Sequence, residues 1–461
     1  TSMTLINSIA GIRGTIGGRV GDNLTPIDII EFTSSFSSFI KSNSNKDSYN
    51  IVIGRDSRKS GKYILNIIEN TIVMYGINVI NIDLTTTPTL GLSVRRFSAN
   101  GGIMVTASHN PIEWNALKIM NELGEVINKK MSEDILKIKK NRNFNFAQIE
   151  NLGGIKLEST QIDQHITDIL NLDIIQIDKI KKLNLKVVVD GINSVGGIAI
   201  PRLLEKLNVN YIKLNCEPTG IFSHNPEPLP QNMKDLCSAV IKNKADLGLI
   251  VDPDVDRLAI VDEKGNPFGE EYTLVTCADF ILSKTKGNTV SNLSSSRALS
   301  DIANKYKVKH FYSAVGELNV IEKMKLENAI IGGEGNGGVI LPKLHYGRDA
   351  LTGIAIFLSL IAEKKLKISE LKNLYPVYYI EKDKIKLTDS ELIEKKLLEI
   401  KGKFKSNQIT TIDGLKIDFK DSWIHLRKSN TEPILRIYAE SNSKIKSIEL
   451  IDKFKNYFVT S

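Results

Sequence analysis

The chain has 461 residues, 41% of them hydrophobic and 25% charged, with a formal net charge of +8. That is too long for a single hydrophobic core, and at roughly 100–150 residues per domain it predicts three or four units of ordinary globular composition. The lysines are spread through amphipathic stretches such as residues 129–140 and 364–372. No basic arm, zinc finger or RNP-type aromatic motif accompanies them, so solvated helix faces are expected in place of a nucleic-acid partner, with a field that attracts an anionic substrate.

The longest apolar run, residues 353–362, is too short to span a bilayer and predicts a buried core helix, with no membrane partner. Thr1 and Ser2 before Met3 look like an expression remnant, not a processed leader. Cys216, Cys237 and Cys277 are odd in number and lack metal-ligand spacing. Free thiols and a reducing, cytoplasmic setting follow.

Along the chain, three segments open with a short apolar strand, a polar turn and a helical pattern: IVIGRDSRKSG from Ile51, KVVVDGINSVGG from Lys186 and NTVSNLSSSRAL from Asn288. Continuous β-branched runs of this kind suit parallel strands buried on both faces. Each is followed by a helix and a strand, at residues 63–75 and 78–82, 198–207 and 211–214, and 299–306 and 309–312. This βαβα order predicts α/β layers in three related copies. From about residue 380 the pattern changes to a helix (392–400), four short strands (408–412, 416–419, 423–426, 434–440) and a last helix (445–458). The predicted fold is α/β: three related α/β domains with mixed sheets plus a smaller C-terminal α+β domain, around a central cleft. Charged connections near residues 143–159, 263–268 and 374–383 give domains 1–147, 148–264, 265–376 and 377–461.

Four short motifs carry chemistry. In VTASHNP, residues 105–111, a strand delivers Ser108 onto a turn enforced by Asn110-Pro111, which can present its hydroxyl beside free backbone N–H groups. In DPDVDR, residues 252–257, alternate carboxylates can converge on one hard cation. An EF-hand is excluded, because Arg257 stands where its loop needs glycine and apolar strands flank the motif where it needs helices. GGEGNGG, residues 332–338, matches GxGxxG literally, yet VILP follows it where a dinucleotide site needs a helix. What remains is a flexible loop carrying Glu334 and Asn336, both suited to hydrogen bonding with hydroxyls. RKSNTEPILR, residues 427–436, bunches Arg427, Ser429, Asn430, Thr431 and Arg436 between two strands, a donor set fit for phosphate.

Together the four resemble the α-D-phosphohexomutase superfamily of phosphoglucomutases, phosphomannomutases and phosphoglucosamine mutases, in the family's order and one per domain. The resemblance implies that Ser108 is a phosphoserine and that Asp252, Asp254 and Asp256 hold Mg²⁺, with a phosphoserine oxygen as fourth ligand. It implies that Glu334 grips sugar hydroxyls and that the Arg427 loop holds the phosphate that is not reacting. Arg13 in GIRGT and Lys118 in NALKIM match active-site positions, and Arg348-Asp349 in YGRDAL matches a stretch of the third domain. The domains would then serve in turn as phosphoserine, metal-binding, sugar-binding and phosphate-binding units. Pro253 and Val255 replace glycines frequent in the family's metal loop, Asn430 replaces a usual glycine, and Asn336 replaces a frequent serine.

The expected activity is interconversion of hexose 6-phosphate and hexose 1-phosphate through phosphoserine and a hexose 1,6-bisphosphate intermediate. Arg257, Arg13 and Lys118 would neutralise the phosphoryl oxygens, with Lys118 or His109 moving the proton. Glucosamine 6-phosphate is the expected substrate, and a phosphomannomutase/phosphoglucomutase of the same superfamily is the alternative. A monomer or homodimer is expected, with the last domain hinged near residues 377–384. A serine-linked metallophosphatase is disfavoured because the six histidines (His109, His165, His224, His310, His345, His425) are scattered. A silent sugar-phosphate sensor is disfavoured by the intact Ser108, aspartates and Lys118.

Overall fold

The β-branched runs singled out above form the buried centres of the sheets. The computed structural model describes residues 2–387, 389–429 and 432–459. The chain divides into two compact units, Thr1–Lys284 with Asn336–Lys372, and Thr285–Gly335 with Asn373–Ser461.

The first unit holds two sheets. Strands β1 (Ile6–Ser8), β2 (Gly11–Thr15), β3 (Asn50–Arg55), β4 (Asn78–Leu84), β5 (Gly101–Val105), β6 (Trp114–Met120) and β7 (Ile155–Leu157) form one in the order β1-β2-β6-β5-β3-β4-β7. It is mixed: β5, β3, β4 and β7 run parallel, whereas β6, β2 and β1 continue the sheet antiparallel. Ile51, Val52 and Ile53 are fully buried in its interior strand β3, as two covered faces require. β7 falls inside a stretch expected to be a connection, and it pairs with β4 through Val79, Ile80 and Asn81.

The second sheet follows the order β11-β10-β8-β9, from β8 (Lys186–Asp190), β9 (Asn210–Leu214), β10 (Leu247–Val251) and β11 (Leu258–Val261). β10 and β11 are antiparallel neighbours, so the DPDVDR loop is the turn between two fully buried strands. The returning segment carries β15 (Gly338–Ile340) and the helix Ala350–Lys364. That helix is buried from Ala350 to Ala362, as its apolar run predicts, and Asp349 caps its N-terminus by accepting from Thr352 N at 3.0 Å. The helix Lys129–Asn141 is the exposed, lysine-rich kind anticipated from its pattern. No described helix is long and apolar enough to cross a membrane, and the three cysteines are free thiols.

In the second unit, β12 (Thr289–Asn292), β13 (His310–Ser313) and β14 (Ile331–Glu334) run parallel with β12 between the other two. Glu334 therefore ends a buried strand, where a flexible loop was expected. Strands β16 (Tyr379–Lys386), β17 (Gln408–Thr410), β18 (Leu415–Asp418), β19 (Trp423–Lys428) and β20 (Ile434–Ser441) form an antiparallel sheet ordered β16-β20-β19-β18-β17. β16 occupies most of the segment expected to be a hinge, pairing with β20 along its whole length. Its alternating lysines and acids disguise it as a linker, and an edge strand carries such charges to block further pairing.

The core of this unit contains a lysine. Lys416 is 1% exposed; its Nζ lies 4.2 Å from the Tyr312 ring centroid and 4.7 Å from that of Trp423, without a hydrogen-bond partner. Burial lowers its pKa to about 8 against the opposing pull of Asp418 and Glu440. The unfolded chain keeps an ordinary lysine, so between about 8 and 10.5 it binds more protons than the fold does. Stability should therefore rise with pH through that window, and at neutral pH the buried ammonium should cost about 3 kcal/mol before the aromatic contacts offset part of it. Lys416→Met is expected to raise Tm at pH 7 and to abolish the rise above pH 8, checked by thermal unfolding across pH. A Met variant that melts earlier would mean that the aromatic contacts outweigh the desolvation, and an alkaline rise that survives the substitution would belong to another group.

Candidate active site

β5 ends at Val105 and hands the chain to Thr106. The Thr106 hydroxyl donates to Asp56 Oδ2 at 2.6 Å and accepts from Ser108 N at 2.9 Å. Ser108 takes the left-handed backbone, at φ +50°, a conformation that costs a non-glycine residue and persists only where its surroundings enforce it. The enforcer is Arg58, itself 1% exposed. Its Nη2 donates to the carbonyls of Ser108 and Asn110 at 2.5 and 2.9 Å, and its Nη1 to those of Pro111 and Trp114 at 2.7 and 3.1 Å. Asp56 accepts from Arg58 Nε at 3.2 Å and Phe222 lies under the guanidinium. So held, Ser108 Oγ donates to Asp252 Oδ2 at 3.0 Å.

Asp252, Asp254 and Asp256 are each 1% exposed or less. Their loop is tied on every side: Thr87 N donates to Asp254 O, Ser194 Oγ to Pro253 O, and Ala350 N to Val255 O. Asp252 Oδ1 accepts from the backbone N–H groups of Asp256 and Arg257 at 2.8 and 3.0 Å. Asp254 Oδ2 accepts from Thr87 Oγ1 at 2.7 Å, whereas its Oδ1 is buried without a hydrogen-bond partner. Asp256 Oδ2 meets Lys118 Nζ at 3.3 Å and Arg348 Nη2 at 3.2 Å. Lys118 reaches there because Gly11 of β2 and Met104 of β5 flank it in register on β6; its side chain is 13% exposed, far from the solvated lysine its strand position also allows.

The electrostatics are those of buried carboxylates packed among arginines and a lysine. Burial, then the neighbouring Asp254, push the Asp252 carboxyl up to about 7, with Arg257 and Arg348 opposing. For Asp254 burial also acts upward, but Lys118, the Thr87 hydrogen bond and Arg348 outweigh it and hold the group low. An oxygen-only donor set with an orphaned buried carboxylate oxygen fits a hard divalent cation such as Mg²⁺. Arg13 donates to Asn110 Oδ1, and burial lowers its pKa. His109 is pushed down to about 2 by burial and then by Arg257, Arg13 and Arg348. It stands neutral, with its Nδ1 shut from solvent and unbonded. Arg257 Nη1 faces Glu227 at 3.7 Å. In the same unit, Asn336 spends its amide oxygen on Gly338 N at 3.2 Å.

The second unit carries the remaining candidates. Glu334 is buried, its Oε1 accepting from Asn292 Nδ2 at 3.0 Å and Gly316 N at 3.2 Å. Arg427 and Arg436 are direct cross-strand partners on β19 and β20. Like charges placed opposite each other are destabilising, and an anion between them reverses the sign. Arg427 Nε lies 3.2 Å from both carboxylate oxygens of Asp413, and Arg436 is half-exposed beside Glu432. Ser429 Oγ accepts from Glu432 N at 3.3 Å. Asn430 and Thr431 lie outside the described residues.

Sequence reasoning missed three groups. Arg58 is one: the only local hint was a dense charge cluster, RDSRK, directly after a fully apolar strand. His165 and His345, expected to be scattered, converge on Asp349 Oδ2 at 2.7 and 2.9 Å, with Thr89 Oγ1 at 2.8 Å from His165 Nδ1. The three are close enough to hold an ion, but the same distances describe two imidazole N–H donors on one oxygen. Burial acts to raise Asp349, and the two histidines outweigh it and hold the carboxyl well below the usual range. This network fixes the segment that delivers Arg348 to Asp256. Asp413 is the third.

Against known proteins, the chain matches the phosphoglucomutase/phosphomannomutase models in order: alpha/beta/alpha domain I over residues 7–146, domain II over 163–265, domain III over 269–378 and the C-terminal domain over 381–454. It is 33% identical to a phosphoglucomutase/phosphomannomutase of Thermococcus kodakarensis, covering 95% of this chain and 96% of the relative. It is 32% identical to a phosphoglucosamine/phosphogalactosamine mutase of Sulfurisphaera tokodaii, covering 96% and 97%. The crystal structure of a phosphoglucomutase/phosphomannomutase family protein from Burkholderia thailandensis shares the fold, with a TM-score of 0.83 over 97% of this chain and 95% of the other, at 23% identity. Four domains matched in sequence, with relatives alike along nearly their whole length, place this chain in the phosphoglucomutase/phosphomannomutase family: it is a phosphohexomutase, an isomerase of sugar phosphates.

Proposed function

We propose that this phosphohexomutase interconverts glucosamine 6-phosphate and glucosamine 1-phosphate through a phosphorylated Ser108 and a 1,6-bisphosphate. The observation that carries the reading is the contact of 3.0 Å between Ser108 Oγ and Asp252 within a wholly buried triad of aspartates. Mg²⁺ held by Asp252, Asp254, Asp256 and the serine phosphate would supply charge neutralisation on the phosphoryl oxygens.

The chain's own groups do the rest. Arg58 holds the Ser108 turn so that the reacting oxygen stays in place as the Ser108 O–P bond breaks and a sugar O–P bond forms. The attacking hydroxyl must lose a proton and the departing Ser108 oxygen must gain one; Lys118, as the free amine, is the proposed carrier from the first to the second, with His109 as a neutral neighbour that orients the hydroxyl. Arg13 and Arg257 stabilise the transferring group. The bisphosphate then presents its other phosphoryl group, which returns to Ser108. Arg427, Ser429, Asn430, Thr431 and Arg436 hold the phosphate that is not reacting, and Glu334 and Asn336 read the sugar.

Removing the carrier should abolish turnover: Ser108→Ala is expected to lose mutase activity with an unchanged melting profile, and intact-mass analysis should find the wild-type protein phosphorylated at Ser108 alone. Substantial turnover by the alanine variant would refute the covalent mechanism.

The aspartates act on charge that develops during transfer. Asp254→Asn or excess EDTA should therefore cut kcat by about a hundredfold and leave KM nearly unchanged, read from steady-state kinetics. Full activity in EDTA would remove the cation from the scheme.

The amino sugar is favoured because the Glu334 carboxylate suits a 2-ammonium group and because one relative bears a phosphoglucosamine/phosphogalactosamine mutase name. A second reading, glucose or mannose phosphate, is favoured by the name of the Thermococcus relative. The expected outcome is a higher kcat/KM for glucosamine 6-phosphate than for either rival, with activity on all three. A tenfold advantage for a rival, about 1.4 kcal/mol in transition-state binding, would reverse the sugar assignment and leave the phosphohexomutase standing.

A further inference from the structure

Asp413 opens the Asp413-Gly414 turn between β17 and β18. Gly414 sits at φ +67°, and a Cβ there would stand 2.1 Å from Leu426 O, so the turn is pressed against β19 and only glycine fits. That closeness brings the Asp413 carboxylate to Arg427 Nε, and the same carboxylate accepts from Val315 N at 2.9 Å. Val315 precedes Gly316, whose N–H donates to Glu334 Oε1 at 3.2 Å. A second route runs from the Asp413 carbonyl, which accepts from His425 Nε2 at 2.7 Å. His425 Nδ1 then faces Ser294 Oγ at 2.7 Å. Ser294 N donates to Asn292 Oδ1 at 3.0 Å, and Asn292 Nδ2 to Glu334 Oε1 at 3.0 Å. With Nε2 bonded to a carbonyl, His425 carries its proton there, and Nδ1 is left to accept from Ser294.

We infer that Asp413 is a positioning residue that sets the sugar-reading Glu334 and the phosphate-holding Arg427 in one fixed relation, so that the enzyme measures the span from ring substituents to distal phosphate of a hexose phosphate. The inference rests on the roles proposed for Glu334 and Arg427. Each group alone could be held by its own strand. Two hydrogen-bonded routes from Asp413 converge on Glu334 Oε1 while its carboxylate meets Arg427 directly, which is what a shared frame needs. The carboxylate also orients the guanidinium through Nε, the edge away from its terminal fork.

The test is steady-state kinetics with hexose 6-phosphate and hexose 1-phosphate on Glu334→Gln, Arg427→Lys and their double variant, each made in wild-type, Asp413→Asn and Asp413→Ala backgrounds. Asp413→Asn preserves shape and should remain folded by circular dichroism even where Asp413→Ala does not. The expected result is a KM raised about tenfold by Asp413→Asn in both directions, with kcat changed far less, as lost ground-state positioning predicts. The Glu334 and Arg427 effects should be non-additive in wild type and should simply multiply once Asp413 is changed. If both single variants raise KM yet multiply in wild type, or if Asp413→Asn leaves KM unmoved, the positioning role is overturned and the site assignment survives. If neither Glu334→Gln nor Arg427→Lys raises KM, the site assignment fails and the inference with it.

Discussion

Three carboxylates with almost no exposure in a five-residue loop are the constraint around which the first unit is built. Removing such charges from water is expensive, and fixed partners must meet them. Lys118 from β6, Arg348 from the segment before a buried helix, Thr87 from a helix N-terminus and the loop's own N–H groups each meet part of the demand. These groups come from three of the four matched family domains. The site and the fold of this unit therefore stabilise one another, and what the protein groups leave unmet, at Asp254 Oδ1, is the part that a cation suits.

The second unit solves the opposite problem. Arg427 and Arg436 face each other across a strand pair, and among the described residues Asp413 and the more distant Glu432 answer them. Under the proposed function, the facing arginines and the buried aspartates would give two kinds of ground for phosphate. One would bind it by direct hydrogen bonding; the other would need an intervening cation, because phosphate and carboxylate repel. A mutase has to hold one phosphate while moving another. Two sites of different chemistry would allow one to grip without reacting.

Much of this was legible in the sequence, and the reason is local. The βαβα order, the strands around the aspartate loop, the serine turn and the arginine-bearing pair of strands are each written within about ten consecutive residues, where periodicity and turn chemistry act. What was not legible acts across long separations. Arg58 clamps carbonyls 50 to 56 residues away, His165 and Asp349 are 184 apart, and Asp413 meets Val315 across 98. A polar residue's value in such a network lies in its partners, which composition and spacing do not name. β16 was lost differently: its lysines and acids point to a linker, and only its pairing with β20 makes it a strand.

The aspartate loop also shows how a departure from the family pattern is absorbed. Val255 stands at φ +63°, where glycine is frequent among the proteins it resembles and where a β-branched side chain is a genuine outlier. Strain of this kind costs about 1–3 kcal/mol. Against it, the side chain is wholly buried, and burying a valine contributes about 1.5–3 kcal/mol. Its N–H and carbonyl are both engaged, by Asp252 O and Ala350 N. A valine also narrows the unfolded chain's choices, which glycine would widen. The terms are of the same size, so the loop keeps its shape without glycine's freedom. Packing has taken over from backbone permissiveness, and a turn that must hold three like charges in fixed register gains from having fewer ways to relax.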